Sequence, residues 1–165
     1  MGVFRIENAV VLTMADGAEP VESGVVEWEG NTITYAGPAA GAPTRPADQV
    51  FDGTDCAVIP GLINAHTHLA MTLFRGYADD MPLKPWLEEK IWPVEMHLEP
   101  EDVYWGTRLG ILELLRGGVT CFNDMYHYYE EATQAAVDGM IRACPSGVLL
   151  GFLPNAEELA EQALE

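Results

Sequence analysis

The chain has 165 residues, 48% hydrophobic and 21% charged, a globular composition that excludes a disordered chain. Eight basic residues against 26 acidic ones give a formal net charge of −18. That surface repels nucleic acid and anionic membranes, so neither is an expected partner; a small molecule or a metal ion is.

Cys56, Cys121 and Cys144 are odd in number, widely spaced and form no C-x-x-C pair. This argues against a disulfide framework or a structural zinc site and predicts three buried thiols in a cytoplasmic protein. Arg5 and Glu7 break any leader-like apolar run, and Ile6 stands where a myristoylation pattern needs Ser or Thr. The longest apolar run, from Val148 to Leu153, is too short to span a bilayer.

In chain order, Val3–Met14 is β-rich and predicts one or two short strands, closed by an Asp16-Gly17 turn. Val25–Glu29 and Thr32–Tyr35 flank Gly30-Asn31, the pattern of a two-residue β-hairpin. Residues 37–47 hold three prolines and two glycines, which predicts a loop, and Val50–Asp52 a further short strand. Residues 1–57 therefore read as a small β-sheet domain that needs a partner layer to be stable.

At Ala57 the pattern changes. Ala57–Ala65 is a nearly continuous apolar run, as expected of a parallel strand buried on both faces. Residues 69–76 predict two helical turns, and a short helix is expected near Trp86–Ile91 between Pro82, Pro85 and Pro93. Glu99-Pro100-Glu101-Asp102 opens a long helix with acidic residues where the dipole favours them. Val103, Thr107, Gly110, Ile111 and Leu114 form its buried face, and Gly117-Gly118 ends it. Val119–Asn123 predicts a strand, Glu130–Met140 a helix, and 141–153 a third strand region. A last helix, Ala156–Leu164, is capped by Asn155.

Strands alternating with helices give an α/β fold with a parallel sheet and about three βα units. A closed (β/α)8 barrel takes about 250 residues, more than the chain has after residue 57. Residues 58–165 therefore read either as a small open α/β domain or as the incomplete front part of a TIM barrel.

The sharpest chemical signal is His66-x-His68 at the end of the apolar run. Side chains at i and i+2 of an extended strand share a face, so one strand end presents two imidazoles to a divalent ion. The carboxyl end of a barrel strand is where active sites sit. A catalytic zinc uses three protein ligands and an open position, so two histidines do not complete a site. His97 and His127 are within reach on distance grounds, but loop or helix-cap roles are simpler for both. On spacing alone Glu95 reads as a solvated loop carboxylate, with a substrate hydrogen bond as the functional alternative. Asp124 ends the second strand at the face where a barrel's chemistry would sit, but a helix N-cap is its simpler role. Trp86 and Trp92 read as core anchors, with stacking on a flat base as the alternative. No G-x-S-x-G, P-loop or G-x-G-x-x-G is present.

The run from Pro60 to His68, followed by Met71, Phe74-Arg75-Gly76, Trp86-Leu87, Ile91-Trp92-Pro93 and Glu95, resembles the amidohydrolase superfamily. Within it the chain is most similar to the 5′-methylthioadenosine/S-adenosylhomocysteine deaminases and the chlorohydrolase-like deaminases, and Gly118–Tyr126 carries the same resemblance. The resemblance implies the N-terminal part of a metal-dependent (β/α)8 TIM barrel, preceded by a small β-sandwich portion. It implies one divalent ion, usually zinc, with His66 and His68 as two of its ligands. It also implies that Glu95 contacts the substrate's ribose; Trp86 is the second candidate substrate-binding residue.

The implied full-length activity is hydrolytic deamination of an adenine-containing nucleoside, a small-molecule substrate, by a cytoplasmic enzyme. A homo-oligomeric full-length form is one open expectation. The later His, the proton-moving Glu and the metal-binding Asp of the family belong to strands beyond the third. No catalytic residue is therefore expected in this chain, and the chain alone is expected to be inactive. Members that carry an Arg near the third strand differ from this chain, which reads Cys144-Pro145-Ser146-Gly147-Val148 there. The alternatives are another amidohydrolase (a guanine- or cytosine-type deaminase, a chlorohydrolase or a cyclic-amide hydrolase) or a non-catalytic metal-binding remnant.

Overall fold

The structure, a computed structural model, describes residues 2–148. The chain divides into two compact units, one ending at Pro60 and the other beginning at Gly61.

The first unit is a single five-stranded sheet. Strands β1 (Val3–Val11), β2 (Val21–Glu29) and β3 (Thr32–Pro38) are antiparallel neighbours, and β4 (Gln49–Asp52) and β5 (Ala57–Val58) pair in parallel with β1. The β2–β3 turn has a positive φ of 60° at Gly30, where a two-residue hairpin calls for glycine. The alternating pattern separates two kinds of side chain. On one face Trp28 stacks between Phe4 and Phe51, with ring centroids 5.5 and 6.1 Å away. On the other, the buried Glu27 carboxylate accepts from Arg5 (2.6 and 3.0 Å), Arg45 (2.9 Å) and Thr34 (3.1 Å). The two guanidiniums hold Glu27 below the usual carboxylate range, with Arg5 the larger cause.

The second unit is built on three parallel strands in the order β6 (Leu62–Thr67), β7 (Val119–Met125) and β8 (Arg142–Ser146). The expected single strand over 57–65 is in fact two. Pro60 has no amide to donate to a ladder, and Gly61 lies so close to Thr120 that any Cβ would overlap it. Ala57–Val58 consequently completes the first sheet and Leu62–Thr67 opens the second. Nor is β6 buried on both faces: Leu62 and Ile63 are exposed, and β6 is an outer strand of the sheet that the described residues form.

After β6, the turn of 3-10 helix Leu69–Phe74 packs against the long helix. Short helices α1 (Leu83–Pro85) and α2 (Trp92–Glu95) flank a π-helical turn, Trp86–Ile91. Helix α3 spans Pro100–Arg116, and the Asp102 carboxylate accepts the Glu99 amide at 2.9 Å, satisfying a donor at its start. Its buried residues are Val103, Gly106, Thr107, Gly110 and Ile111. Helix α4 spans Tyr129–Asp138. One apolar cluster joins Leu69, Ile111, Phe122, Ala135, Ala136 and Ile141; another joins Ala70, Leu98, Val103, Tyr126 and Ala132.

The third strand, Arg142–Ser146, ends before Val148, and the expected continuation over 149–153 and the helix 156–164 lie outside the described residues. The three thiols are not all buried: Cys56 and Cys144 are exposed and Cys121 is half-buried. Cys56 lies in the turn before β5, and Cys144 lies on the edge strand β8.

Gly106 sets how closely α3 approaches the Leu69–Phe74 turn. A Cβ there would sit 2.7 Å from the Ala70 carbonyl oxygen and 3.0 Å from Leu73. Gly106→Ala is therefore expected to destabilise by about 1–3 kcal/mol in a chemical denaturation curve, against the usual helix preference for alanine. A net gain in stability would contradict this close packing.

Candidate metal centre

His66 is the penultimate residue of β6, and His68 is the first residue beyond it, with φ −135° and ψ 72°. The structure brings their Nε2 atoms to 3.3 Å of one another, the rings nearly perpendicular at 82°. His68 Nδ1 lies 2.7 Å from the Met125 carbonyl oxygen. A carbonyl only accepts, so Nδ1 carries the ring proton and the Nε2 lone pair of the neutral ring is free to ligate.

These donors fit a metal ion. Two nitrogens each about 2.0–2.1 Å from a tetrahedral zinc stand about 3.3–3.4 Å apart, which matches the observed spacing. Neutral imidazoles are suitable ligands, and His66 is exposed while His68 is half-buried, so an ion can reach them. Among the described residues, no group of three or more His, Cys, Asp and Glu side chains is placed to hold an ion. The pair alone offers two nitrogen donors, one fewer than the three protein ligands of a catalytic zinc.

The residue between them is tied to the neighbouring strand. The Thr67 hydroxyl donates to Asp124 Oδ1 at 2.7 Å and also lies 2.8 Å from the Asn123 carbonyl oxygen. The Leu69 amide donates to the same Asp124 oxygen at 2.9 Å. The Asn123 side-chain amide donates to the Ala65 carbonyl at 3.2 Å. Asp124 is only 1% exposed, and burial pushes its carboxyl up, partly offset by the bonds from Thr67 and Leu69. It is not the helix N-cap that its position suggested. β7 runs on to Met125, paired with Ser146, and α4 begins only at Tyr129. Tyr128 occupies the cap position in the left-handed region, at φ 49° and ψ 51°, a strained conformation for a non-glycine residue.

Glu95, at the end of α2, is bound to the same strand end. The buried Tyr126 hydroxyl donates to Glu95 Oε1 at 2.7 Å, and His127 Nε2 lies 3.9 Å from Glu95 Oε2. Burial, and then the Glu95 bond, push the Tyr126 phenol up, so it remains a neutral donor. Its ring lies 6.4 Å from the His68 ring. The Glu95 side chain is 9% exposed, so it is no solvated loop carboxylate. Trp86 is half-buried and donates through Nε1 to the Ala78 carbonyl at 2.9 Å. His97 is exposed in the loop before α3. Sequence reasoning missed Tyr126 and the tie made by Asp124. The one available signal was their position at the carboxyl end of a strand, where barrel active sites gather.

The second unit thus carries parallel βα units with a histidine pair at the carboxyl end of their first strand, the end at which the active sites of βα barrels lie. The chain belongs to the amidohydrolase family, whose model matches residues 57–163. It is 44% identical over 166 residues to the 5-methylthioadenosine/S-adenosylhomocysteine deaminase of Pelotomaculum thermopropionicum, covering 99% of this chain and 38% of that protein. It is 52% identical over 128 residues to the 5′-deoxyadenosine deaminase of Methanothrix thermoacetophila, covering 77% of this chain and 30% of that one. Among solved structures it is similar to an adenosine deaminase from Xanthomonas campestris with bound zinc. The TM-score is 0.78 and the identity 40%, over 85% of this chain and 32% of that one. The chain thus spans well under half the length of these relatives. No helix among the described residues is long and apolar enough to cross a membrane.

Proposed function

We propose that the chain forms the front part of a zinc-dependent (β/α)8 hydrolase that deaminates an adenine-containing nucleoside. The observation that carries this reading is the His66–His68 pair, its Nε2 atoms 3.3 Å apart at a strand's carboxyl end. The zinc-bound relative supports the choice of metal, and the deaminase relatives support the substrate class. A divalent ion held there would lower the pKa of water and so supply a nucleophile near neutral pH.

This chain's own residues hold and orient. The Met125 carbonyl keeps His68 in the tautomer that ligates through Nε2. Glu95, held by Tyr126, accepts a hydrogen bond from the ribose hydroxyls, and Trp86 lies alongside the substrate. Water adds at the ring carbon that bears the amino group, the carbon–nitrogen bond breaks, and ammonia leaves. The proton-moving residues and remaining ligands come from later strands of the full-length form. Residues 1–57 contribute to a β-sandwich, and 58–165 to the barrel. A net charge of −18 fits a small-molecule substrate in the cytoplasm better than nucleic acid or a membrane surface.

A substrate panel tests the assignment. The full-length protein with zinc is expected to release ammonia from 5′-methylthioadenosine, S-adenosylhomocysteine or 5′-deoxyadenosine. The 165-residue chain alone is expected to release none. Turnover of guanine or a chlorinated triazine in place of every adenine nucleoside would overturn the substrate class. Zinc-dependent turnover by the isolated chain would overturn the division of the site.

A further inference from the structure

We propose that Asp124 is a positioning residue for metal ligation, fixing the backbone on both sides of His68; this rests on the metal reading of His66 and His68. His68 has left β6, and its φ and ψ belong neither to a strand nor to the turn that follows. The bonds that hold this point come from β7. Asp124 Oδ1 accepts the Thr67 hydroxyl, one residue before His68, and the Leu69 amide, one residue after it. The next residue of β7, Met125, accepts the His68 ring proton. Two consecutive residues of one strand therefore fix the chain before the ligand, the ligand ring, and the chain after it.

The burial of Asp124 makes this more than a surface contact. It is 1% exposed, and its second oxygen, Oδ2, has no hydrogen-bond partner among the described residues. An unpartnered buried carboxylate oxygen is an expensive way to fill space, and an apolar side chain would do that better. An acceptor between two chain donors is what an apolar side chain cannot supply. The imidazole spacing matches one edge of a tetrahedral site only while His68 stays in place.

The test is zinc affinity of the chelator-stripped full-length protein, measured by competition with a chromophoric chelator, alongside the melting midpoint of each metal-free form. Asp124→Ala and Thr67→Val are expected to weaken zinc binding about 10–100-fold. Thr67→Val is the arm that keeps the test valid where Asp124→Ala fails to fold. Asp124→Asn keeps an acceptor oxygen, and Thr67→Ser keeps the hydroxyl, so both are expected to stay within about threefold of the parent. The metal-free midpoint of Thr67→Val is expected to fall below that of Thr67→Ser, because the buried Asp124 carboxylate loses a donor, with both variants still folded at the assay temperature. Parent-like zinc affinity in Thr67→Val overturns the proposal, as does equal loss of affinity in the Val and Ser variants. Undiminished zinc binding by a His66→Ala, His68→Ala double variant overturns the underlying metal reading instead.

Discussion

His68→Ala in the full-length protein is expected to remove the bound ion and lower kcat/KM at least about a thousandfold. Two effects combine. The imidazole whose Nε2 is freed by the Met125 contact is lost, and with it half of a donor pair spaced at 3.3 Å. Loss of groups that merely orient a ligand costs about 10–100-fold in affinity or activity, and loss of the ligand itself costs more. Without the ion, water has no means of acting as a nucleophile near neutral pH. Metal content by elemental analysis should fall together with the rate. The fold is expected to persist, because His68 lies outside the two apolar clusters. A variant that keeps its metal and turnover would show that the pair is not the metal site.

Glu95→Gln should act on substrate recognition rather than on the chemical step. Glu95 is nearly buried and its Oε1 already accepts the Tyr126 hydroxyl, so the carboxylate is held in one orientation before substrate arrives. A hydrogen bond to a charged acceptor is worth about 1.5–3 kcal/mol, or about 10–100-fold in kcat/KM. The loss should appear mainly in KM, as expected of an interaction made equally in the ground and transition states. A nucleoside lacking the ribose hydroxyls should lose little further on going from parent to Glu95→Gln. An equal loss on both substrates would assign Glu95 to the packing around Tyr126 rather than to the ribose.

Much of the second unit was legible because its signals are local. The acidic opening, buried stripe and glycine stop of the long helix all lie within Glu99–Gly118, and the helix spans Pro100–Arg116. The histidine pair was equally plain, because strand periodicity alone brings residues 66 and 68 together. The break at Pro60-Gly61 was hidden in an apolar run. Pro60 marks it locally, while the close approach of Thr120 to Gly61 joins residues far apart in the chain. The partners of Asp124 and Tyr126 were illegible because they are distant in sequence. The bond from Leu69 to Asp124 spans 55 residues, and that from Tyr126 to Glu95 spans 31. Short-range pattern made Asp124 a helix cap, whereas the tertiary pairing of Met125 with Ser146 carried the strand past it. Glu95 looked solvated in so acidic a chain, and its burial comes from partners outside its own segment.

The most direct test of the metal-centred deamination is ammonia release from 5′-methylthioadenosine by chelator-stripped full-length protein as zinc is added back. Activity should be near zero without metal and should rise to a plateau at one zinc per chain. Full activity in the stripped protein, or a plateau reached only at two ions per chain, would contradict a single zinc held by His66 and His68.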